Sequence, residues 1–175
     1  MFFTVGRQGT TYKSNDYGIG YYNGSWKGFA SGDLTGWLAE APNYTISAGQ
    51  NIYMHIAIVG DYVRLRVLDG NNFSKVFWDK SYYHYSYFPS NGSGVHFNRQ
   101  ITLCDTDEVT GTGLYFKNAS FSDSYLYSPT GYARYSSNNT NPDRRGRFKA
   151  DWTNYSNVTV HSSSAWYAEK ISIEF

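Results

Sequence analysis

One cysteine, four prolines, four glutamates and seven leucines are spread over 175 residues, and each shortage closes off a class of protein. The lone Cys104 forms no internal disulfide. Stability therefore has to come from a packed core, which a chain of this length can supply as a single domain over residues 1–175. Few leucines and glutamates mean few strong helix formers. No apolar run approaches the roughly 18 residues of a spanning helix, so no membrane span is expected. The start Met1-Phe2-Phe3-Thr4 lacks the basic and long apolar segments of an export signal. A net charge of +1 leaves no basic excess for indiscriminate nucleic-acid binding. Cys104 itself, with no histidine near it in sequence, reads as a buried inert thiol rather than a nucleophile.

What is abundant points the other way. Hydrophobic residues make up 41% and aromatics 19% of the chain, enough for collapse and against disorder. There are 18 Tyr, 20 Ser, 17 Gly, 14 Asn and 13 Thr, a vocabulary of strands and turns. The composition predicts an all-β protein. Many tyrosines with few lysines and glutamates suit a secreted or cell-wall setting, in which case an export signal has been removed ahead of Met1. Asn-x-Ser/Thr triplets begin at Asn23, Asn43, Asn72, Asn91, Asn118, Asn138, Asn154 and Asn157, where composition alone predicts roughly three. Their neighbours are often Gly, Pro or Asn, so they read first as turn chemistry and, in a eukaryotic secreted chain, as glycan acceptors.

The clearest local pattern runs from Ile52 to Leu68. Ile52, Met54, Ile56 and Ile58 alternate with Tyr53, His55, Ala57 and Val59, and Val63, Leu65 and Val67 alternate with Tyr62, Arg64, Arg66 and Leu68. Gly60-Asp61 between them is a two-residue hairpin loop, with glycine available for positive φ. The register follows: Ile58 faces Val63, Ile56 faces Leu65 and Met54 faces Val67 on an apolar side, while Ala57 faces Arg64, His55 faces Arg66 and Tyr53 faces Leu68 on the other. An apolar face needs a cover, so a second sheet is implied. Further strands are expected at Ser74–Asp79, Val95–Leu103, Thr112–Phe121, Arg147–Trp152, Asn157–Ser162 and Ile171–Phe175. Eight or more such strands predict a jelly-roll β-sandwich of two antiparallel sheets. At most one short helix is expected, at Asp33–Glu40, where Asp33 would cap Leu34, Trp37 and Leu38 ahead of Pro42. Ser136–Arg147 reads as a long loop.

Three constellations carry chemistry. Tyr82-Tyr83-His84-Tyr85-Ser86-Tyr87-Phe88, read as extended chain, puts Tyr83, Tyr85 and Tyr87 on one face, where rings stack on sugars and hydroxyls bond to sugar hydroxyls. A tyrosine-rich surface without a ligand has the same pattern. Trp26, Trp152 and Trp166 are further platforms, while Trp37 and Trp78 read as core. The acidic turn Asp105-Thr106-Asp107-Glu108 concentrates hard oxygens, so a structural calcium, should one be bound, is expected at Asp105, Asp107 and Glu108; no cofactor is required. An ordinary solvated turn reads the same. His55, His84, His96 and His161 show no zinc spacing. The third constellation is the outer face of the hairpin: Tyr53, His55, Tyr62, Arg64 and Arg66. Arg64 and Arg66 stand roughly 7 Å apart at about 3.4 Å per residue, which suits a row of anionic groups. The alternative is that both arginines pair with acids of neighbouring strands.

The hairpin Asn51–Asp69 and the strands after it resemble the central sheet of the concanavalin-A-like lectin/glucanase sandwiches. More narrowly, Tyr17-Gly18-Ile19-Gly20-Tyr21-Tyr22-Asn23-Gly24 resembles the small secreted Bacillus proteins of the YrpD type. The superfamily resemblance implies two curved antiparallel sheets, carbohydrate binding on the concave one, and often a structural calcium. Glucanases of that fold carry Glu-x-Asp-x-x-Glu, which this chain lacks. Its Asp105 and Asp107 alternate, but Glu108 adjoins Asp107. Alginate-type lyases carry Tyr-Phe-Lys-Ala-Gly-x-Tyr-x-Gln; here Tyr115-Phe116-Lys117-Asn118-Ala119-Ser120-Phe121 puts Phe121, without a titratable hydroxyl, where the proton donor would stand. The expectation is a secreted, non-catalytic carbohydrate-binding module for an acidic polysaccharide or glycan. The alternatives are a lyase or hydrolase with a different catalytic set, or a structural surface protein.

Overall fold

The computed structural model describes residues 1–7, 12–89, 91–100, 115–128, 131–134, 158–165 and 168–174. The chain forms two compact units, residues 1–101 and 102–175. The first holds β1 (Phe2–Arg7), β2 (Lys13–Tyr22), β3 (Ser25–Gly32), β4 (Leu38–Glu40), β5 (Ile52–Val59), β6 (Tyr62–Asp69), β7 (Asn72–Tyr83) and β8 (Val95–Gln100). These make a five-stranded sheet in the order β4-β3-β2-β1-β8 and a three-stranded sheet β5-β6-β7, antiparallel throughout. Val5, Tyr17, Ile19 and Ala30 from the first sheet share one core with Val63, Leu65, Val67, Phe77 and Trp78 from the second. The two sheets close over that core as a sandwich. Gly28 lets them meet, since a Cβ there would lie 2.4 Å from the Trp78 indole.

The hairpin register is the one the alternation predicts, with Met54 opposite Val67, Ile56 opposite Leu65, His55 opposite Arg66 and Val59 opposite Tyr62. Gly60 takes a φ of 58° in the loop. Val63, Leu65 and Val67 are fully buried, and Ile52, Met54, Ile56 and Ile58 pack on the same core. An irregularity between Val67 and Leu68 in the pairing with β7 leaves both residues buried.

No helix forms among the described residues, and the expected one at Asp33–Glu40 is replaced by a turn and a short strand. Asn15, itself buried, accepts from Leu34 N at 2.8 Å and donates to Thr35 Oγ1. The Asp33 carboxylate accepts from Ser14 N at 2.9 Å instead of capping a helix. Gly36 sits at a φ of 63°, and Leu38–Glu40 then pairs with β3. Contacts with β2 outweigh the weak local helix signal. Trp37, read as core, is 61% exposed as a result, whereas Trp78 is buried.

The second unit holds β9 (Tyr115–Phe121), β10 (Tyr125–Ser128), β11 (Gly131–Arg134), β12 (Val158–Ala165) and β13 (Ala168–Glu174). They form an antiparallel sheet β12-β13-β9 and a hairpin β10-β11. The expected strand Arg147–Trp152 and loop Ser136–Arg147 lie outside the described residues. So does Cys104. The all-β class and the antiparallel sandwich follow as expected.

Leu65→Ala should cost about 2–5 kcal/mol, because it removes most of a fully buried side chain from a core shared by two sheets. Val59→Ala, on an exposed position of the same hairpin, should change stability by only about 0.5 kcal/mol. Urea unfolding of the two variants is the check, and equal costs would contradict the facing of the hairpin.

Candidate functional site

The outer face of β5-β6-β7 is built by period two. With Met54, Ile56, Val63, Leu65 and Val67 turned to the core, Tyr53 and His55 on β5 and Tyr62, Arg64 and Arg66 on β6 turn outward. β7 adds Asp79 opposite Arg66, Ser81 opposite Arg64 and Tyr83 opposite Tyr62. From Tyr62 to Leu68 the strip runs about 20 Å at about 3.4 Å per residue. Aromatic rings occupy both ends and charges the middle.

The middle is a shared ion pair. Arg64 donates through Nε to Asp79 Oδ1 and through Nη2 to Oδ2, both at 2.7 Å, as a two-point fork. Arg66 Nε lies 3.3 Å from the same Oδ2. The alternative reading of the two arginines, pairing with an acid of the neighbouring strand, is what the structure holds. The open row of two free forks is not. One carboxylate between two guanidiniums still leaves an uncompensated positive charge. The hydrogen bonds and charge of Arg64, and then the charge of Arg66, hold the Asp79 carboxyl below its ordinary value of 3.8. Burial foremost, then the charges of Arg66 and Arg64, push the half-buried His55 imidazole below 6.5, so it is neutral at pH 7.

Aromatic order differs at the two ends. At one, Tyr53 stacks parallel to His55 at 6.5 Å and meets Phe73 at 5.0 Å. At the other, Tyr62 meets Tyr83 at 5.4 Å and Tyr83 meets Tyr85 edge-on at 4.6 Å. The expected extended row Tyr83, Tyr85, Tyr87 does not form. β7 stops at Tyr83, and Tyr85 and Ser86 take φ values of 53° and 56°, which reverses the chain. Tyr87 is carried away to β1, where its hydroxyl donates to Arg7 O at 3.0 Å and Arg7 Nη1 donates to its carbonyl at 2.6 Å. The turn is clamped to the hairpin loop. His84 N donates to Asp61 O at 2.9 Å, and Ser86 Oγ donates to Asp61 Oδ1 at 2.6 Å. The fully buried His84 ring accepts Phe88 N–H at Nδ1, so the proton on Nε2 goes to Gly60 O at 3.1 Å. This clamp sets the place of Tyr85 beside Tyr83.

Other expected sites fall elsewhere. Asp105, Asp107 and Glu108 lie outside the described residues, as do Trp152 and Trp166. Among the described residues, no group of three His, Cys, Asp or Glu side chains is placed to hold a metal. Trp26 is half-buried against the core and forms no open platform. Asn72 Oδ1 accepts from Ser74 N and Asn91 Oδ1 from Ser93 N, so these two triplets do serve as turn chemistry. Asp79 and Phe73, which complete the face, carried no signal in the sequence beyond their positions near β6. The register of β7 is what brings them in.

His55 should titrate below 6.5, and Arg66→Ala should move it upward by removing a neighbouring positive charge. The unfolded chain takes a proton near 6.5 while the folded imidazole resists it. The fold's stability from this group is therefore complete above pH 6.5 and is lost as pH falls through the folded value. Proton NMR of the His55 ring in both proteins measures it; an unchanged value in the variant would remove the assigned cause.

No protein-family model matches the chain, and no curated protein matches it either. Among solved structures, it resembles the crystal structure of aspergilloglutamic peptidase from Aspergillus niger, with a TM-score of 0.55 at 13% identity, covering 98% of this chain and 97% of that one. At that identity the likeness concerns the fold alone, and the fold it supports is a β-sandwich.

Proposed function

We propose that the protein is a non-catalytic module that binds an extended polysaccharide along the outer face of β5-β6-β7. The observation that carries this reading is the composition of the strip: exposed rings of Tyr62, Tyr83 and Tyr85 at one end, Tyr53 and Phe73 at the other, and a guanidinium–carboxylate cluster between them. Aromatic faces take the apolar faces of sugar rings, and planar charged groups take their hydroxyls. The residual positive charge favours an acidic polymer. Arg64 is committed to Asp79, so Arg66, held by a single 3.3 Å contact, is the guanidinium with capacity for a ligand carboxylate. A secreted or cell-wall setting is part of the same reading, supported by the tyrosine-rich, lysine-poor composition.

A peptidase is the second reading, favoured by the fold likeness over nearly the whole chain. Incubation with polygalacturonate, neutral glucans and casein separates the two, since cleavage of any of them overturns the non-catalytic reading. Affinity electrophoresis in polygalacturonate tests the face. The wild type should be retarded, and R64A/R66A should run close to its free mobility with a weaker response to salt. Equal retardation of the double variant, or retardation by neutral glucans that survives high salt, would reject the face as an acidic-polymer site.

A further inference from the structure

At the far edge of the five-stranded sheet lies a second feature that the outer face of β5-β6-β7 does not use. An open concavity of about 610 Å³ is walled by Tyr22 and Asn23 at the end of β2, Lys27 on β3, and Trp37 to Glu40 leading into β4. Its volume falls within the range of ligand sites. Trp37, 61% exposed, leaves a large apolar indole surface in water there. It is not loose. Phe29, itself buried, stacks on it at 5.6 Å and 24°, and Tyr22 meets it at 5.7 Å.

Polar groups surround this fixed ring. Lys27 Nζ lies 5.6 Å from the centre of the Tyr22 ring. Glu40 Oε2 pairs with Lys80 Nζ at 2.9 Å, and no partner is placed on its second oxygen among the described residues. The Tyr22 hydroxyl is shut off from solvent, so this residue offers the concavity its ring and not its donor. A rigid aromatic plate with donors and acceptors at its rim and little net charge fits a ring that is apolar on its faces and hydroxylated at its edge.

We propose that this concavity is a saccharide site, which takes one pyranose ring flat on Trp37 with its hydroxyls bonded by Glu40, Lys27 and Asn23. The ligand class rests on the glycan-binding reading above; the position does not, because no residue of the outer face contributes to it. The site would hold a single residue or chain end, where the 20 Å strip would hold a stretch of polymer.

The test is a titration of ¹⁵N-labelled protein with methyl glycosides of glucose, galactose, mannose, N-acetylglucosamine and glucuronic acid. The Trp37 indole N–H signal is identified by its loss in Trp37→Phe. At least one glycoside should shift that signal saturably and leave the buried Trp78 signal in place. Glu40→Gln should weaken the effect about tenfold, the worth of a hydrogen bond to a charged group. Because that change also breaks the pair with Lys80, Lys27→Met serves as a second variant and should weaken it too. The R64A/R66A protein should respond like wild type. No Trp37 shift with any glycoside up to the solubility limit, or a shift that both Glu40→Gln and Lys27→Met leave at wild-type strength, overturns this site and leaves the outer face untouched. Loss of polygalacturonate retardation in wild type with the Trp37 response intact overturns the outer face alone.

Discussion

Two residues between β5 and β6 set the facing of everything around them. Because side chains alternate with a period of two, a hairpin loop one residue longer would exchange Val63, Leu65 and Val67 with Tyr62, Arg64 and Arg66. Gly60, at a φ of 58°, permits the tight loop, and the apolar side it creates matches the inner face of the five-stranded sheet. Asp61 and Gly60 then serve a second purpose as acceptors for the clamp from His84 and Ser86. The same short loop therefore fixes the core on one side of the sheet and the aromatic end of the strip on the other. The rings of Tyr62, Tyr83 and Tyr85 are thus set against one another by the fold itself.

Electrostatics on the face are governed by a single carboxylate. Asp79 lies opposite Arg66 in the ladder, and the long side chain of Arg64 reaches it diagonally. Without it, two guanidiniums on alternate positions of one strand would repel across about 7 Å. With it, Arg64 is held by a two-point fork, Arg66 by one contact, and the cluster carries one net positive charge. His55 completes the arrangement by staying neutral, since a proton on its ring would be a third positive charge beside the pair. The face consequently carries one net positive charge rather than the two or three that unpaired arginines and a protonated histidine would give it.

The sequence was legible where one side of a strand was wholly apolar and the turn had few choices. The β5–β6 hairpin met both conditions, and its pairing is as expected residue by residue. β2 and β3 met only the second, at the two-residue turn Asn23-Gly24 with φ values of 53° and 76°. Their alternate positions hold Gly18, Gly20 and Gly28, small because Phe2, Tyr22 and Trp78 press against them, so the hydrophobic rhythm is broken by the packing itself. The turn at Asp33 was misread for a related reason. Its local signals suit a helix cap, and what overrules them is Asn15, eighteen residues earlier, whose amide bonds to Leu34 and Thr35. Tyr87 was misplaced because an extended reading has no way to see two consecutive residues in the left-handed region, held there by groups of another turn.

A shared sandwich leaves the chemistry open, and the reason is visible in this molecule. The core residues that make the fold, such as Val5, Ile19, Val63 and Leu65, are used up in burying one another and carry no reactive groups. Residues outside that core, such as Asp79 and Arg66 on an outer face and Glu40 at a sheet edge, are paired with one another or with Lys80 and bury no part of it. Those positions tolerate wholesale change at small cost in stability. A likeness in fold at 13% identity is consistent with that division, because packing constrains the sandwich and leaves the surface chemistry open. The exposed rings that the structure does hold in place owe this to other rings, Trp37 to Phe29 and Tyr22, and Tyr83 to Tyr62 and Tyr85, so the ordering of each costs less entropy at binding than a lone ring would.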